Sequence, residues 1–357
     1  AVYRAALIFS SGRCSKLILI HTGQSICILI KKVTAMTIVR LGFVAMSVNL
    51  KNCSPSQTMT YAQFQRLKDR EAAIEKLGRI SASNLENCLR IIKHNAGHDI
   101  QFFRFSSKLI PLANHPEIKD FNYLRTLREP LKELGNWISK TKMRVDFHPD
   151  HFVLLNSPKP EILNTSLRTL SMHEALLRGM NVPHEHRCVI HVGGAYNDKE
   201  KALEQFIHNW GFVPVKIQNM LMLENDDTTF TLQDTLYLCE KLAVPLVFDY
   251  HHHLANHEKD SNWSRHWDRV AASWDHSSLP VKMHISSPRS ERDFNAHAEF
   301  VDPELFMSFL SAIKGSVPQI DCMIEAKQKD DALFQLMEQM CSFPEVEKID
   351  GASFLLK

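Results

Sequence analysis

Along this chain, short runs of β-branched, aromatic and other apolar residues alternate with longer amphipathic stretches. The runs are IVRLGFV (38–44), IQFFRFSS (100–107), MRVDFHP (143–149), CVIHVGG (188–194), MLMLEND (220–226), PLVFDYH (245–251), VKMHISS (281–287) and DCMIEAK (321–327). Each has the length of a buried strand. The intervening stretches include SNLENCLRIIKHNA and NTSLRTLSMHEALLRGM, both of helical period and both opening on a Ser or Asn suited to cap a helix. Strand then helix, repeated about eight times over about 320 residues, predicts an α/β fold of the (β/α)8 TIM-barrel kind. A doubly wound open sheet would normally bring a Gly-rich phosphate loop after an early strand. VIHVGGAY has two glycines but not the G-x-G-x-x-G spacing.

Met36 opens the first clean strand, MTIVRLGFV, which places the barrel domain at 36–357. The preceding AVYRAALIFSSGRCSKLILIHTGQSICILIKKVTA breaks its apolar runs with Arg4, Arg13, Lys16 and His21. No run there reaches the roughly 20 residues of a membrane span, and no single apolar core with a small-residue cleavage site stands out. Residues 1–35 are therefore expected to be an upstream or disordered leader, and no membrane partner is expected.

The ends of the runs carry the chemistry. His148 closes the third run, His191 sits in the fourth, Glu224 in the fifth, Asp249 in the sixth, His284 in the seventh and Glu325 in the eighth. In a barrel the C-terminal strand ends converge on one face, which holds the active site. Strand alternation turns Lys282 and His284 inward together, and likewise Met222 and Glu224. Imidazoles and carboxylates meeting in one pocket suit Zn²⁺ or Mn²⁺, whereas an all-oxygen shell would suit Mg²⁺ or Ca²⁺. His115 in PLANHP and His297 in DFNAH are on loops that can reach the same face. With one histidine of the triplet His251, His252 and His253, that makes about nine donors, enough for two or three ions. Parity does not say which of the three, because it lapses once the chain leaves the sheet. A cluster of divalent ions is suited to phosphodiester hydrolysis. A lone histidine at a strand end is ordinarily structural; six strand ends in series are not.

Composition narrows the classes. The 357 residues are 44% hydrophobic and carry a formal net charge of +2, so DNA binding would need a local basic surface. The eight cysteines form no C-x-x-C pair, which favours buried thiols in a reducing compartment over disulfides or a zinc knot. The SSPRSERD segment either is a solvated loop or brings Arg289 and Arg292 to phosphates.

Taken together, RFSS with LIPLANHP, FHPDHF, IHVGGAYNDK, LENDD, FDYHHH, KMHISSPRSERDFNAHAEFV and MIEAKQKD resemble the UV damage endonuclease family. The resemblance covers residues 36–357, and the family is similar in fold and metal site to endonuclease IV. It implies a monomeric DNA-repair enzyme of the cytoplasm and nucleoid that nicks damaged double-stranded DNA immediately 5′ of a lesion. It also implies two or three divalent ions, generally Mn²⁺, with Zn²⁺ or Mg²⁺ as alternatives. Carried over motif by motif, the ligands are His115, His148, His191, Glu224, Asp249, His252, His284, His297 and Glu325, with Glu224 and Glu325 also catalytic. Lys282 matches a lysine that the family can carry as a carbamate, and it is expected among both the metal ligands and the catalytic residues. Phe43 matches an aromatic position near the site, and His151 with Phe152 matches a pair inserted at the lesion. There the family's usual Gln is replaced by His151, which bears on lesion preference. A metal-dependent sugar isomerase, an abasic-site nuclease of the endonuclease IV type and a barrel that only binds are the competing expectations.

Overall fold

The computed structural model describes residues 36–259 and 262–357 in full, and upstream only the backbone of three strands. Those strands, Ala5–Ser10, Arg13–Thr22 and Ser25–Lys32, form an antiparallel sheet that, among the described residues, shares no ladder with the main sheet. The expected leader thus falls partly outside the described residues.

Eight parallel strands follow, one in each apolar run: β1 (Thr37–Val44), β2 (Phe102–Arg104), β3 (Arg144–Asp146), β4 (Cys188–His191), β5 (Leu221–Glu224), β6 (Leu246–Asp249), β7 (Val281–Ile285) and β8 (Gln319–Ile324). Each pairs in parallel with the next, β3 meeting β4 through the bridge Phe147 to Cys188, and β8 returns to β1. The barrel closes. An outer layer of helices covers it: α1 (Arg70–Gly97), α2 (Arg128–Thr141), α3 (Pro160–Gly179), α4 (Lys199–Trp210), α5 (Leu232–Leu242), α6 (Trp267–Ala272), α7 (Pro303–Ile313) and α8 (Lys329–Met340). The strand Ser353–Leu356 runs antiparallel along the lower half of β1, leaving only its upper end to β2. Gly42 belongs at that junction, since a Cβ there would come within 2.3 Å of the Phe102 carbonyl oxygen.

Two expected helix caps are corrected. α1 begins at Arg70, capped by the Asp69 side chain, and α3 begins at Pro160. Ser83 and Asn164 are interior, because the apolar period continues upstream of both and the helices bury it against the barrel.

The interior of the barrel holds buried charged pairs beside apolar side chains such as Phe102 and Met222. At its lower end Asp321 of β8 accepts from Arg40 Nε and Nη2 at 2.8 and 2.7 Å, and across the lumen from Arg144 Nη1 at 2.8 Å. Burial alone would raise the Asp321 pKa, but Arg144 and Arg40 outweigh it and hold it below the usual range. One storey up, Lys282 of β7 donates from Nζ to Asp146 of β3 at 2.6 Å, both side chains wholly buried. Alternate strand positions face the helices: Val39, Leu41, Phe43, Phe103, Val145 and Phe147 all lie in the hydrophobic core. Because Arg40 points into the lumen, parity sends Phe43 outward. It is fully buried, edge-on to Phe103 at 5.2 Å, and has no face to offer DNA. Phe43, expected as an aromatic position near the site, is thus part of the hydrophobic core.

Candidate metal centre

The third storey is the site. Glu224 at the end of β5 is completely buried and meets four imidazoles. His148 Nε2 lies 2.8 Å from its Oε2 and His191 Nε2 3.8 Å away, while His284 Nδ1 and His252 Nδ1 lie 2.7 and 3.4 Å from its Oε1. The donor atoms fall into two groups that share this carboxylate. His148, His191 and Glu224 form one, and Glu224, Asp249, His284 and Glu325 the other, each with all its donor atoms within 4.8 Å of one another.

These groups assemble because the strands stop at matching heights. The ladders place His191 beside Glu224 and His284 beside Asp249, so donors far apart in sequence become lateral neighbours. Asp249 also starts a short helix, Tyr250–Ala255, by accepting from the His252 backbone N–H at 2.7 Å. That first turn decides the histidine triplet. His252 is turned to the carboxylates, its Nδ1 at 3.4 Å from Glu224 and 3.7 Å from Asp249. His251 instead accepts on Nδ1 from the Ser286 hydroxyl and donates from Nε2 to the Phe294 carbonyl, at 2.6 and 2.7 Å. His253 packs against Phe248 and is pushed down to about 4, chiefly by burial.

The electrostatics favour a cation. Asp249 Oδ2 is buried with no hydrogen-bond partner, and so is His191 Nδ1. Burial raises the Asp249 pKa to about 7, with the Glu224 and Glu325 charges adding to it. Against the penalty of its own burial, His252 is drawn up to about 9 by Asp249, Glu224 and Glu325. Protons gather where anions crowd, which is what a divalent ion would replace. His284 goes the other way, to about 3, through burial and then the Arg104 and Lys282 charges, so it is a neutral ring with a lone pair to give. The donor set, nitrogen and oxygen with an orphaned carboxylate oxygen, fits a divalent metal.

The other expected residues are spread around this rim. His297, on the hairpin of Pro288–Ser290 and Asp293–His297, comes to 3.9 Å from Glu325 Oε2. His115 belongs to neither donor group and stacks on Tyr61 at 4.1 Å. His151 and Phe152 project from the loop after β3, their rings 4.1 Å apart, with Phe152 73% exposed. Arg289 and Arg292 are exposed on the hairpin, Arg289 paired with Asp293 at 2.7 Å. Lys282 is lowered to about 8, by burial first, and rests on Asp146 rather than on any of the ligands. Sequence reasoning missed Arg104, Asp146, Arg144 and Asp321. All four occupy inward positions of their strands, so the parity that picked out Lys282 would have found them.

A family model described as UV-endonuclease UvdE matches residues 39–355. A UV DNA damage endonuclease of Halalkalibacterium halodurans is 48% identical over 316 residues, 88% of this chain and 98% of that protein. One from Bacillus cereus is 39% identical over 315 residues, with the same coverage. The crystal structure of SacUVDE matches with a TM-score of 0.74 at 28% identity, over 85% of this chain and all of that one. Endonuclease IV from Thermus thermophilus shares the fold, with a TM-score of 0.51 at 12% identity over 85% of this chain and 98% of that one.

Proposed function

We propose, because this chain belongs to the UV-endonuclease UvdE family, that it is a DNA-repair endonuclease. It hydrolyses the phosphodiester immediately 5′ of a UV photoproduct in duplex DNA and leaves a 3′-hydroxyl. It acts as a monomer, in the cytoplasm at the nucleoid. The observation that carries this reading is the pair of donor groups sharing the buried Glu224 at the C-terminal face of the barrel. Membership of the family sets aside the sugar-isomerase and binding-only expectations.

Two or three divalent ions, Mn²⁺ with Zn²⁺ or Mg²⁺ as alternatives, would activate a water for attack and neutralise charge on the phosphoryl oxygens. His148 and His191 with Glu224 would hold one ion. Glu224, Asp249, His284 and Glu325 would hold another, and His252, His297 and His115 would complete the shell. The residues themselves supply position. Asp249 is fixed by its cap on the short helix and by the Asn225 side chain, which donates to its carbonyl at 2.9 Å and accepts from its N–H at 3.0 Å. His297 is oriented by the Glu325 carbonyl, 2.6 Å from its Nδ1. Lys282 as a carbamate would present two anionic oxygens toward the ions, while the carbamate N–H still donates to Asp146.

His151 and Phe152 serve as the wedge. A damaged step is already poorly stacked, so opening it costs less than the few kcal/mol of an intact one. Stacking on the exposed Phe152 returns roughly 1–3 kcal/mol. His151 donates one hydrogen bond where the family's Gln offers an amide, which shifts the ranking of lesions. Arg289 and Arg292 hold backbone phosphates. The test is simple: UV-irradiated and untreated plasmid are incubated with the protein, with Mn²⁺ or with chelator. Nicks confined to irradiated plasmid with Mn²⁺ support the reading, and equal nicking of both plasmids refutes it.

A further inference from the structure

Arg104, the last residue of β2, is buried with its guanidinium in the centre. Its Nη2 donates to Glu325 Oε1 and also to His284 Nε2, the latter at 3.0 Å. A guanidinium has only donors, so His284 Nε2 must offer its lone pair and the ring proton must sit on Nδ1. That proton points at Glu224 Oε1, 2.7 Å away. Yet Nδ1 is the atom that faces the carboxylates, 3.2 Å from Glu325 and 3.9 Å from Asp249 besides Glu224. An ion held by His284 with those three needs the Nδ1 lone pair. Supplying it moves the ring proton to Nε2, where it would meet an Arg104 N–H, donor against donor in a dry site. Arg104 on Nε2 and a metal on Nδ1 are mutually exclusive.

We propose that Arg104 is a place-holder cation: it occupies the His284 and Glu325 position in the metal-free protein and is evicted when the metal binds. The proposal rests on the metal-centre reading and adds to it a residue that competes with the ion. The grip is suited to release. Both contacts come from the single nitrogen Nη2, and the buried Arg104 Nε has no partner. Arg40, by contrast, grips Asp321 with two nitrogens. While in place, Arg104 supplies a positive charge beside the Glu325 carboxylate.

The test compares Mn²⁺ binding by the metal-stripped wild-type protein and Arg104→Met, using titration calorimetry. Loss of the competing charge-assisted hydrogen bonds should tighten Mn²⁺ binding roughly tenfold in Arg104→Met. Equal or weaker binding by the variant would overturn the proposal, since it would mean that Arg104 coexists with the ion or supports its ligands. No Mn²⁺ uptake by the wild type would instead bring down the metal-centre reading itself. If Arg104→Met does not fold, the wild type decides alone. In ¹⁵N-histidine-labelled protein titrated with Zn²⁺, the His284 proton should pass from Nδ1 to Nε2. A ring that keeps its Nδ1 proton at full metal loading would overturn the proposal as well.

Discussion

Asp321→Asn separates what the charged barrel interior does for stability from what it does for chemistry. Asp321 is wholly buried at the lower end of the lumen and accepts from Arg40 twice and from Arg144 once, at 2.7–2.8 Å. Three charge-assisted bonds at about 1.5–3 kcal/mol each set an upper bound near 4.5–9 kcal/mol. Asn keeps one acceptor oxygen, and Arg40, with a side chain 20% exposed, can turn to water. Arg144, 3% exposed, cannot. Breaking a buried pair and leaving the cation behind costs about 3–5 kcal/mol, which is the expected loss. With about 2.1 cal/mol/K of unfolding entropy per residue over about 320 residues, that lowers Tm by roughly 4–7 °C. Urea unfolding should show a lower midpoint with an unchanged slope. Metal content and nicking per folded molecule should be unaltered, since in barrels the lower face serves stability. A loss under about 1 kcal/mol would refute the claim that this triad holds the barrel floor. So would a loss of nicking at full folding.

Glu224→Gln and Glu325→Gln should each abolish incision while circular dichroism still reports a folded barrel; appreciable nicking by either would contradict their assignment. Phe152→Ala should weaken cutting at a defined photoproduct without changing metal content, and equal cutting by variant and parent would remove the wedge. His173 donates from Nδ1 to the Thr169 carbonyl at 2.9 Å, and burial pushes its pKa down to about 4. Since the unfolded side chain titrates near 6.5, the unfolded state binds the extra proton between about pH 6.5 and 4, and stability must fall as pH drops through that window. His173→Gln should recover up to roughly 3 kcal/mol of that loss at pH 4, as read from urea midpoints; identical pH slopes would refute it. A chain starting at Met36 should keep solubility and nicking, and loss of either would show that residues 1–35 contribute to the barrel.

The eight strands were legible because each is a short apolar run, as in Val39, Leu41 and Phe43, and six of them carry a His, Asp or Glu at or just past the end. The ligands were legible for the same reason, Glu224 and His284 being charged or polar groups inside apolar runs. The lower storeys were not read. Parity marks Arg40, Arg144, Asp146 and Asp321 as inward-facing, but which of them pair across the lumen shows only once the barrel closes. Phe43 lies at the end of its strand, but the outward parity of its position packs it against Phe103. The helix caps at Ser83 and Asn164 failed because a capping residue type is common inside long helices, and tertiary burial extends the helix past it. Nothing in the sequence could separate His251, His252 and His253 by period. The turn that Asp249 caps decides among them, and it exists only once β6 has stopped.

Cleavage of an end-labelled duplex carrying one cyclobutane pyrimidine dimer, with Mn²⁺ present, tests the central claim most directly. The account predicts a single cut at the phosphodiester immediately 5′ of the dimer, leaving a 3′-hydroxyl that a polymerase extends, and no cut in the undamaged duplex or with chelator. A cut on the 3′ side, an end that cannot be extended, or full cleavage in the presence of chelator would contradict it.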